Sequence, residues 1–342
     1  MKILIDHNQP FILAHGGFQT NIEQTKIELE RIGVDVEYLR WWDSGQQGDL
    51  IHFFSAANNA YLLQARAVKV PVVMTQLFTD TCNRSNFRLA LQGFVTRTIL
   101  ALPFGEGLKQ QLTWRAYHNC THNIVGIEAE RHVLQTVYGV PPDRISIVPS
   151  GLSKTYLRAG HGARNEPHLI CTGTITQRKN SVELAEMAHA AQTPILFTGK
   201  PYHPEDPYWL RFKELVDGRW VKHYVVPYGT YEDSDAEMVR LLQSARGFVI
   251  MSNFENWCLS AHEAVACGLP LLVQDQKWSR ERFGDQARYF KHIGVSQQNV
   301  DVLKQFYREA PDLPAPVIDL PGWTDVAVQL KAVYQRVLNS SH

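Results

Sequence analysis

Residues 253–273 read NFENWCLSAHEAVACGLPLLV, a stretch that holds two carboxylates, a helix and the start of a strand. Just before it, Gly247 to Ser252 (GFVIMS) has the unbroken apolar character of a strand buried on both faces. Asn253 to Trp257 must then turn. Leu259 to Cys267 is rich in Ala and Leu, Gly268 suits a left-handed helix cap, and Pro270 follows where no helix continues. Leu271 to Val273 opens another strand. Strand, turn, helix and strand in that order predict a doubly wound α/β domain, whose ligands bind beyond the carboxyl ends of the strands. Glu255 and the first helical amides belong at that end. Those amides carry about half a positive charge and suit an anion such as a diphosphate. Glu263, about one turn further along, would repel that anion and suits a neutral, hydroxyl-rich group beside it.

Glu255 and Glu263, eight residues apart and followed by AVACGLP, resemble the Glu-x7-Glu motif of retaining GT-B glycosyltransferases, the family 4-like or group 1 enzymes. The resemblance implies two Rossmann-like domains facing across a cleft. It also implies that Glu263 holds the nucleotide ribose, that Glu255 faces the donor sugar, and that the turn Asn256, Trp257, Cys258 and Leu259 borders the donor. Family members usually carry glycine where Asn256 and Cys258 stand. Asn tolerates unusual dihedrals, whereas Cys258 is expected to narrow the site. Gly173 with Lys179 six residues on resembles the family's Gly-Arg-x4-Lys element, whose two cations neutralise the donor diphosphate. Thr174 occupies the arginine position, and Arg178 beside Lys179 is the candidate for the second charge.

Lys plus Arg and Asp plus Glu each total 34 in 342 residues, so no overall field draws nucleic acid, and any anionic contact must be local. With 44% hydrophobic residues the length suits about two domains. Five cysteines without a CxxC pair suit a reducing compartment rather than a disulfide framework or a zinc site. The start, MKILID, reads as a strand and not as a signal peptide, and no apolar run is long enough to span a bilayer. The expected location is therefore cytoplasmic; peripheral contact with the inner face of the membrane is one of two readings of the basic segment 82–118.

Lys2 to Ile5, Val34 to Leu39, Leu50 to Ser55 and Val70 to Leu77 read as strands of a first Rossmann-like domain. Gly16 and Gly17, ahead of a helix from about Asn21, stand where the family's Gly-rich loop faces the donor; a plain loop is the alternative. Leu77 stands where members commonly place a histidine, and Gln76, Asp80 and His15 are the substitutes at hand. Cys82 to His118 holds five cations against Glu106 alone, interleaved with aromatic and aliphatic residues. That segment suits an acceptor or an anionic membrane surface, or else is a solvated helical face.

Arg158 to Pro167 has a linker's composition. It divides residues 1–157 from 158–322; the resemblance implies that the first is the acceptor side, the second the donor side, and that a last helix at about 323–342 crosses back to the first domain. Asp233-Ser234-Asp235 matches a metal-binding DxD, but it precedes a helical pattern from Ala236 and is read as a cap. The expected activity is metal-independent transfer of a sugar from a nucleotide diphosphate to a glycan, lipid-linked or small-molecule acceptor with retention, with no other cofactor. Lys179, Arg178 and Glu255 carry the chemistry. Two rivals stand beside it: a non-catalytic sugar-nucleotide-binding partner, and an inverting transferase or epimerase of the same fold with His15 as base.

Overall fold

A computed structural model describes residues 1–12, 16–76, 78, 80–103, 105, 109, 113–227 and 230–340, with Asp80 by its backbone only. It divides into two units: Met1–Gly151 together with the segment from Trp323 onward, and Leu152–Gly322.

The first unit is built on β1 (Lys2–His7), β2 (Asp35–Tyr38), β3 (Leu50–Phe54), β4 (Val72–Thr75), β5 (His122–Val125) and β6 (Ile145–Ile147), in spatial order β2-β1-β3-β4-β5-β6. Every pairing is parallel. The chain between the strands forms α1 (Gly17–Arg31), α2 (Asn59–Ala67), α3 (Asn86–Ala101), α4 (Ala116–Asn119) and α5 (Glu128–Thr136). The second unit carries α6 (Lys154–Leu157), β7 (Leu169–Thr172), α7 (Ser181–Ala191), β8 (Ile195–Thr198), α8 (Pro207–Leu215) and β9 (Val221–Tyr224). It continues through α9 (Tyr231–Ser244), β10 (Phe248–Ile250), α10 (Leu259–Ala266), β11 (Leu271–Gln274), α11 (Lys277–Phe283), β12 (Arg288–Phe290) and α12 (Gln297–Glu309). Its parallel sheet has the order β12-β11-β10-β7-β8-β9.

Burial follows these orders. Every residue of β3, β5, β7, β8, β10 and β11 is buried, whereas β2, β9 and β12 expose part of their length. Inner strands of a parallel sheet are covered on both faces and so read as continuous apolar runs, which is why GFVIMS and its counterparts were legible. In the second unit the chain grows outward from β7 through β8 to β9, then returns to β10 and grows the other way. The reversal lies between β7 and β10, where a crevice opens at the carboxyl ends.

The division falls at Gly151 and not at residue 157. α6 packs on α9 and α10 with Tyr156 buried, so it belongs to the second unit. Residues 158–167 are not a free connector either. Arg164 N donates to Gln243 O at 3.1 Å and Glu166 N to Ser244 O at 2.9 Å, and the Arg164 guanidinium reaches the carbonyls of Ala310 and Leu313. Glycine and polar residues have the composition of a linker, but composition does not report such distant partners. Leu152 and Gly322, near the two crossings, pair as a parallel bridge.

The last helix, α13 (Trp323–Ser340), lies against α1. Thr324 Oγ1 donates to Glu28 Oε2 at 2.7 Å, and Lys331 Nζ to Ile32 O at 3.1 Å. Deeper in, the Tyr334 hydroxyl meets His52 Nδ1 at 2.7 Å, and His52 Nε2 meets Thr75 Oγ1 at 2.7 Å. Burial pushes His52 down to about 3, so the imidazole is neutral and has one donor and one acceptor for these two hydroxyls. Tyr334→Phe leaves one ring nitrogen unpaired in the core and should destabilise the protein by about 1–3 kcal/mol. Urea unfolding measures it, and an unchanged midpoint would mean the tie between α13 and the sheet is not energetic.

Candidate functional site

The crevice between β7 and β10 is built from two loops held together by backbone. β7 runs into Gly173, and β8 beside it runs into Gly199, whose φ is +144°. A Cβ on Gly199 would fall 2.1 Å from Gly173 O, so only glycine lets these two turns approach. A 3-10 turn, Gln177–Lys179, follows, and Asn180 takes the left-handed conformation before α7. Asn180 Nδ2 donates to Met251 O at 2.8 Å and to Asn253 Oδ1 at 2.7 Å, while Asn253 N donates to Arg178 O at 2.8 Å. From the other side, buried Gln276 donates to Ser252 O at 3.1 Å and is itself held by Trp278 Nε1 at 2.8 Å.

These bonds bring Arg178, Lys179 and Glu255 to one point. Lys179 Nζ and Arg178 Nη1 both donate to Glu255 Oε1, Arg178 at 2.9 Å, and Arg178 also reaches Phe254 O at 3.0 Å. Burial would raise the Glu255 carboxyl, but the facing Lys179 and Arg178 outweigh it and hold it below the ordinary carboxylate value. One carboxylate against two cations leaves a net positive charge at the crevice.

The turn after Glu255 packs inward. Trp257 is buried and stacks on His262, ring centroids 4.2 Å apart, with Arg282 over its ring at 4.3 Å. Arg282 Nε donates to His262 Nε2 at 3.2 Å, so Nδ1 carries the proton and donates to Cys258 O at 3.1 Å. Trp257 therefore braces the turn from within, and its buried indole Nε1 has no hydrogen-bond partner among the described residues. Cys258 stands at φ 54° and ψ 69°, the left-handed conformation that glycine takes with less strain, and caps α10. Its side chain is buried rather than narrowing an opening. Burial pushes the thiol up to about 11 with Glu255 adding to the effect, so it stays protonated. Asn256, Leu259 and Thr174 lie half-buried along the same loops.

Glu263 sits one turn into α10. Burial, and then Asp235, push its carboxyl up to about 8, against the opposing charge of Lys179. The acidic triplet caps only in part. α9 begins at Tyr231, ahead of the triplet, and its cap is Thr230, whose Oγ1 accepts from Asp233 N at 3.2 Å while Asp233 Oδ2 accepts from Thr230 N at 3.3 Å, a capping box. Asp235 thus lies inside the helix, where burial raises its carboxyl and where it interacts with Ser153 and Tyr156. The hydroxyl of Tyr156 faces both Asp235 and Glu263. Tyr156 was missed because it stands in no motif, and Asp235 was seen only as part of the DxD match, with no sign of its place beside Glu263.

Gly16 caps α1 and Gly17 begins it, both in the first unit. Gln76 is buried there and donates to Asn123 Oδ1 at 3.1 Å. His15, Leu77 and the Asp80 side chain lie outside the described residues. No group of three or more metal-ligating side chains occurs among the described residues.

The raised Glu263 has a consequence for stability. A carboxyl lifted from 4.5 in the unfolded chain to about 8 when folded favours the native state below 4.5, and that contribution is lost as pH rises through 8. Glu263→Gln removes this loss. The variant should gain on the parent between pH 5 and about pH 8.5, by several degrees in melting temperature. Melting curves at the two pH values test it, and a parent that gains on the variant reverses the sign and overturns the assignment.

No protein-family model matches the chain, and no curated protein sequence does. Solved structures match nearly throughout. A sucrose-phosphate synthase from Thermosynechococcus elongatus superposes with a TM-score of 0.65 at 14% identity, covering 99% of this chain and 100% of that one. Anabaena HepE in complex with UDP gives 0.63 at 13%, with 99% and 100% covered. A glycosyltransferase involved in avilamycin A biosynthesis gives 0.57 at 15%, with 99% and 98% covered. Together with the two six-stranded parallel sheets, these likenesses show that the chain has the GT-B glycosyltransferase fold.

Proposed function

We propose that the protein is a retaining glycosyltransferase of the family 4-like kind, taking its sugar from a nucleoside diphosphate bound at the carboxyl edge of β7 and β10. The observation that carries this reading is the convergence of Lys179, Arg178 and Glu255 at the point of chain reversal, with Glu263 one turn into the adjoining helix. HepE, of the same fold, has been solved with UDP and with UDP-glucose, which makes UDP the first nucleotide to test.

In this reading the donor diphosphate takes up the cations now shared by Glu255. Both of them contact Oε1, which leaves Oε2 as the oxygen for a sugar hydroxyl. Glu263, protonated in the empty site, bonds the ribose hydroxyls. The bond from the anomeric carbon to the phosphate oxygen breaks, the acceptor oxygen bonds that carbon on the same face, and the acceptor proton passes to the departing phosphate. No nucleophile from the protein is used. The charge that develops on the leaving group is met by Lys179 and Arg178, and fixed cations in a crevice poor in water stabilise it without reorganising. The acceptor is a glycan, a lipid-linked sugar or a small molecule.

A cation that touches the leaving group helps more as the group departs than in the ground state, so its loss must lower turnover and not affinity alone. Lys179→Ala should reduce kcat at saturating donor by roughly a hundredfold to a thousandfold, about 2.7–4 kcal/mol. Transfer, or hydrolysis of UDP-sugars without acceptor, is the measurement, with the anomer of the product read by NMR. Unchanged turnover in the variant removes Lys179 from the chemistry. An inverted product replaces retention. A parent that binds UDP-sugars but turns none over makes the protein a sugar-nucleotide-binding partner.

A further inference from the structure

α3 faces the wrong way for a helix of a water-soluble domain. Its buried side is Leu89, Gly93 and Thr96. A Cβ on Gly93 would fall 2.3 Å from Thr136 O, so that side lies directly against the end of α5. At 100° per residue the opposite side carries Phe87, Leu91, Phe94 and Val95, and their exposures are 77%, 53%, 66% and 45%. Thr98 continues the stripe with its hydroxyl turned back to Phe94 O at 2.8 Å, and exposed Ala101 and Leu102 complete it. A helix at the surface of a soluble domain normally turns charged and polar residues outward, and a contiguous apolar stripe marks a surface that meets something.

Charge says what it meets. Between Thr81 and Gly105 there are three arginines, Arg84, Arg88 and Arg97, and no acid. Arg88 and Arg97 fall on opposite flanks of the apolar stripe, Arg97 with its Nε donated to Gly93 O at 3.1 Å and the rest of its exposed guanidinium toward solvent. Two other cations expected on this face are used within the unit: Lys109 Nζ bonds the carbonyls of Leu100 and Leu102, and Arg115 reaches Leu100 O at 3.5 Å, closing the end of α3. A second copy pairing through α3 itself would bring arginines against arginines, and α3 carries no carboxylate to meet them. A soluble polyanion would leave the phenylalanines in water. An anionic bilayer surface satisfies both, with the rings at the boundary of headgroups and acyl chains and the guanidinium groups on lipid phosphates. No helix among the described residues is long and apolar enough to cross a membrane, so the contact is with the surface.

We propose that the outward face of α3, Phe87, Leu91, Phe94 and Val95 flanked by Arg88 and Arg97, docks the protein on anionic lipid. This goes beyond the transferase reading and does not depend on it, since no residue of α3 belongs to the crevice between β7 and β10.

Flotation of the full chain with phosphatidylcholine vesicles, with and without phosphatidylglycerol, tests it. The parent should float with the phosphatidylglycerol vesicles and not with phosphatidylcholine alone. Phe87→Ser combined with Phe94→Ser should weaken binding at least roughly tenfold at any salt concentration, as loss of apolar insertion requires. Arg88→Glu should weaken it roughly fivefold or more at low salt, with the difference fading as salt screens it. Because both phenylalanines are exposed, the thermal transition of the double variant should match the parent's; if it does not, Leu91→Gln takes its place. A parent that does not float, or variants that float as it does, overturn the proposal. So does a parent that sediments as a dimer while the double variant is a monomer, because the face is then covered by a second copy.

Discussion

Glu255 is the residue on which the second unit's crevice depends. Its buried carboxylate accepts from Lys179 and Arg178, which arrive on the loop after β7, while Glu255 itself lies on the loop after β10. Taking the charges of Glu255 and Lys179 out of water costs several kcal/mol per ion unless each is paired, and removing a partner leaves an uncompensated charge, while Arg178 keeps 35% of its side chain exposed. The two loops are therefore locked in register, and the bonds from the Asn180 side-chain amide and the Asn253 backbone N–H fix that register before any ligand arrives. Preorganised cations are also what a leaving diphosphate requires, so one arrangement serves both the fold and the proposed chemistry.

Around this point the two carboxylates of the motif are pushed in opposite directions by their surroundings. Glu255, against two cations, stays ionised despite its burial. Glu263, with Asp235 nearby, is raised until it holds its proton near neutrality. A neutral carboxylic acid both donates and accepts, which suits hydroxyl groups, whereas an ionised one only accepts. Beneath both, the stack of Trp257 on His262 carries the turn that places Glu255, and Cys258 accepts a left-handed backbone at a cost of about 1–2 kcal/mol to begin α10.

The first unit is held by a different means. Its outermost piece in sequence, α13, is tied to α1 by Thr324 and Lys331 and to the sheet interior by the Tyr334 to His52 to Thr75 relay. Its surface carries the apolar side of α3, an inversion of the usual pattern that remains a cost in water until that side is covered.

How much of this was legible in the chain depended on the range of the interactions. The α/β class, the strand of GFVIMS, the helix that ends at Gly268 and the eight-residue spacing of Glu255 and Glu263 are local: apolar periodicity, caps and short spacing are written in neighbouring residues. The nearness of Arg178 to Lys179 was equally plain, as was the basic bias of residues 82–118. What local pattern could not hold was any partner far along the chain. That Glu255 meets both cations, that Asp235 lies beside Glu263 rather than capping a helix, that Arg282 covers Trp257, and that residues 158–167 are bonded into the second unit all follow from contacts between residues far apart in the chain. The direction in which α3 faces is of the same kind. Its sequence is apolar nearly all round, and only the packing of Gly93 against Thr136 decides which side is left to the solvent.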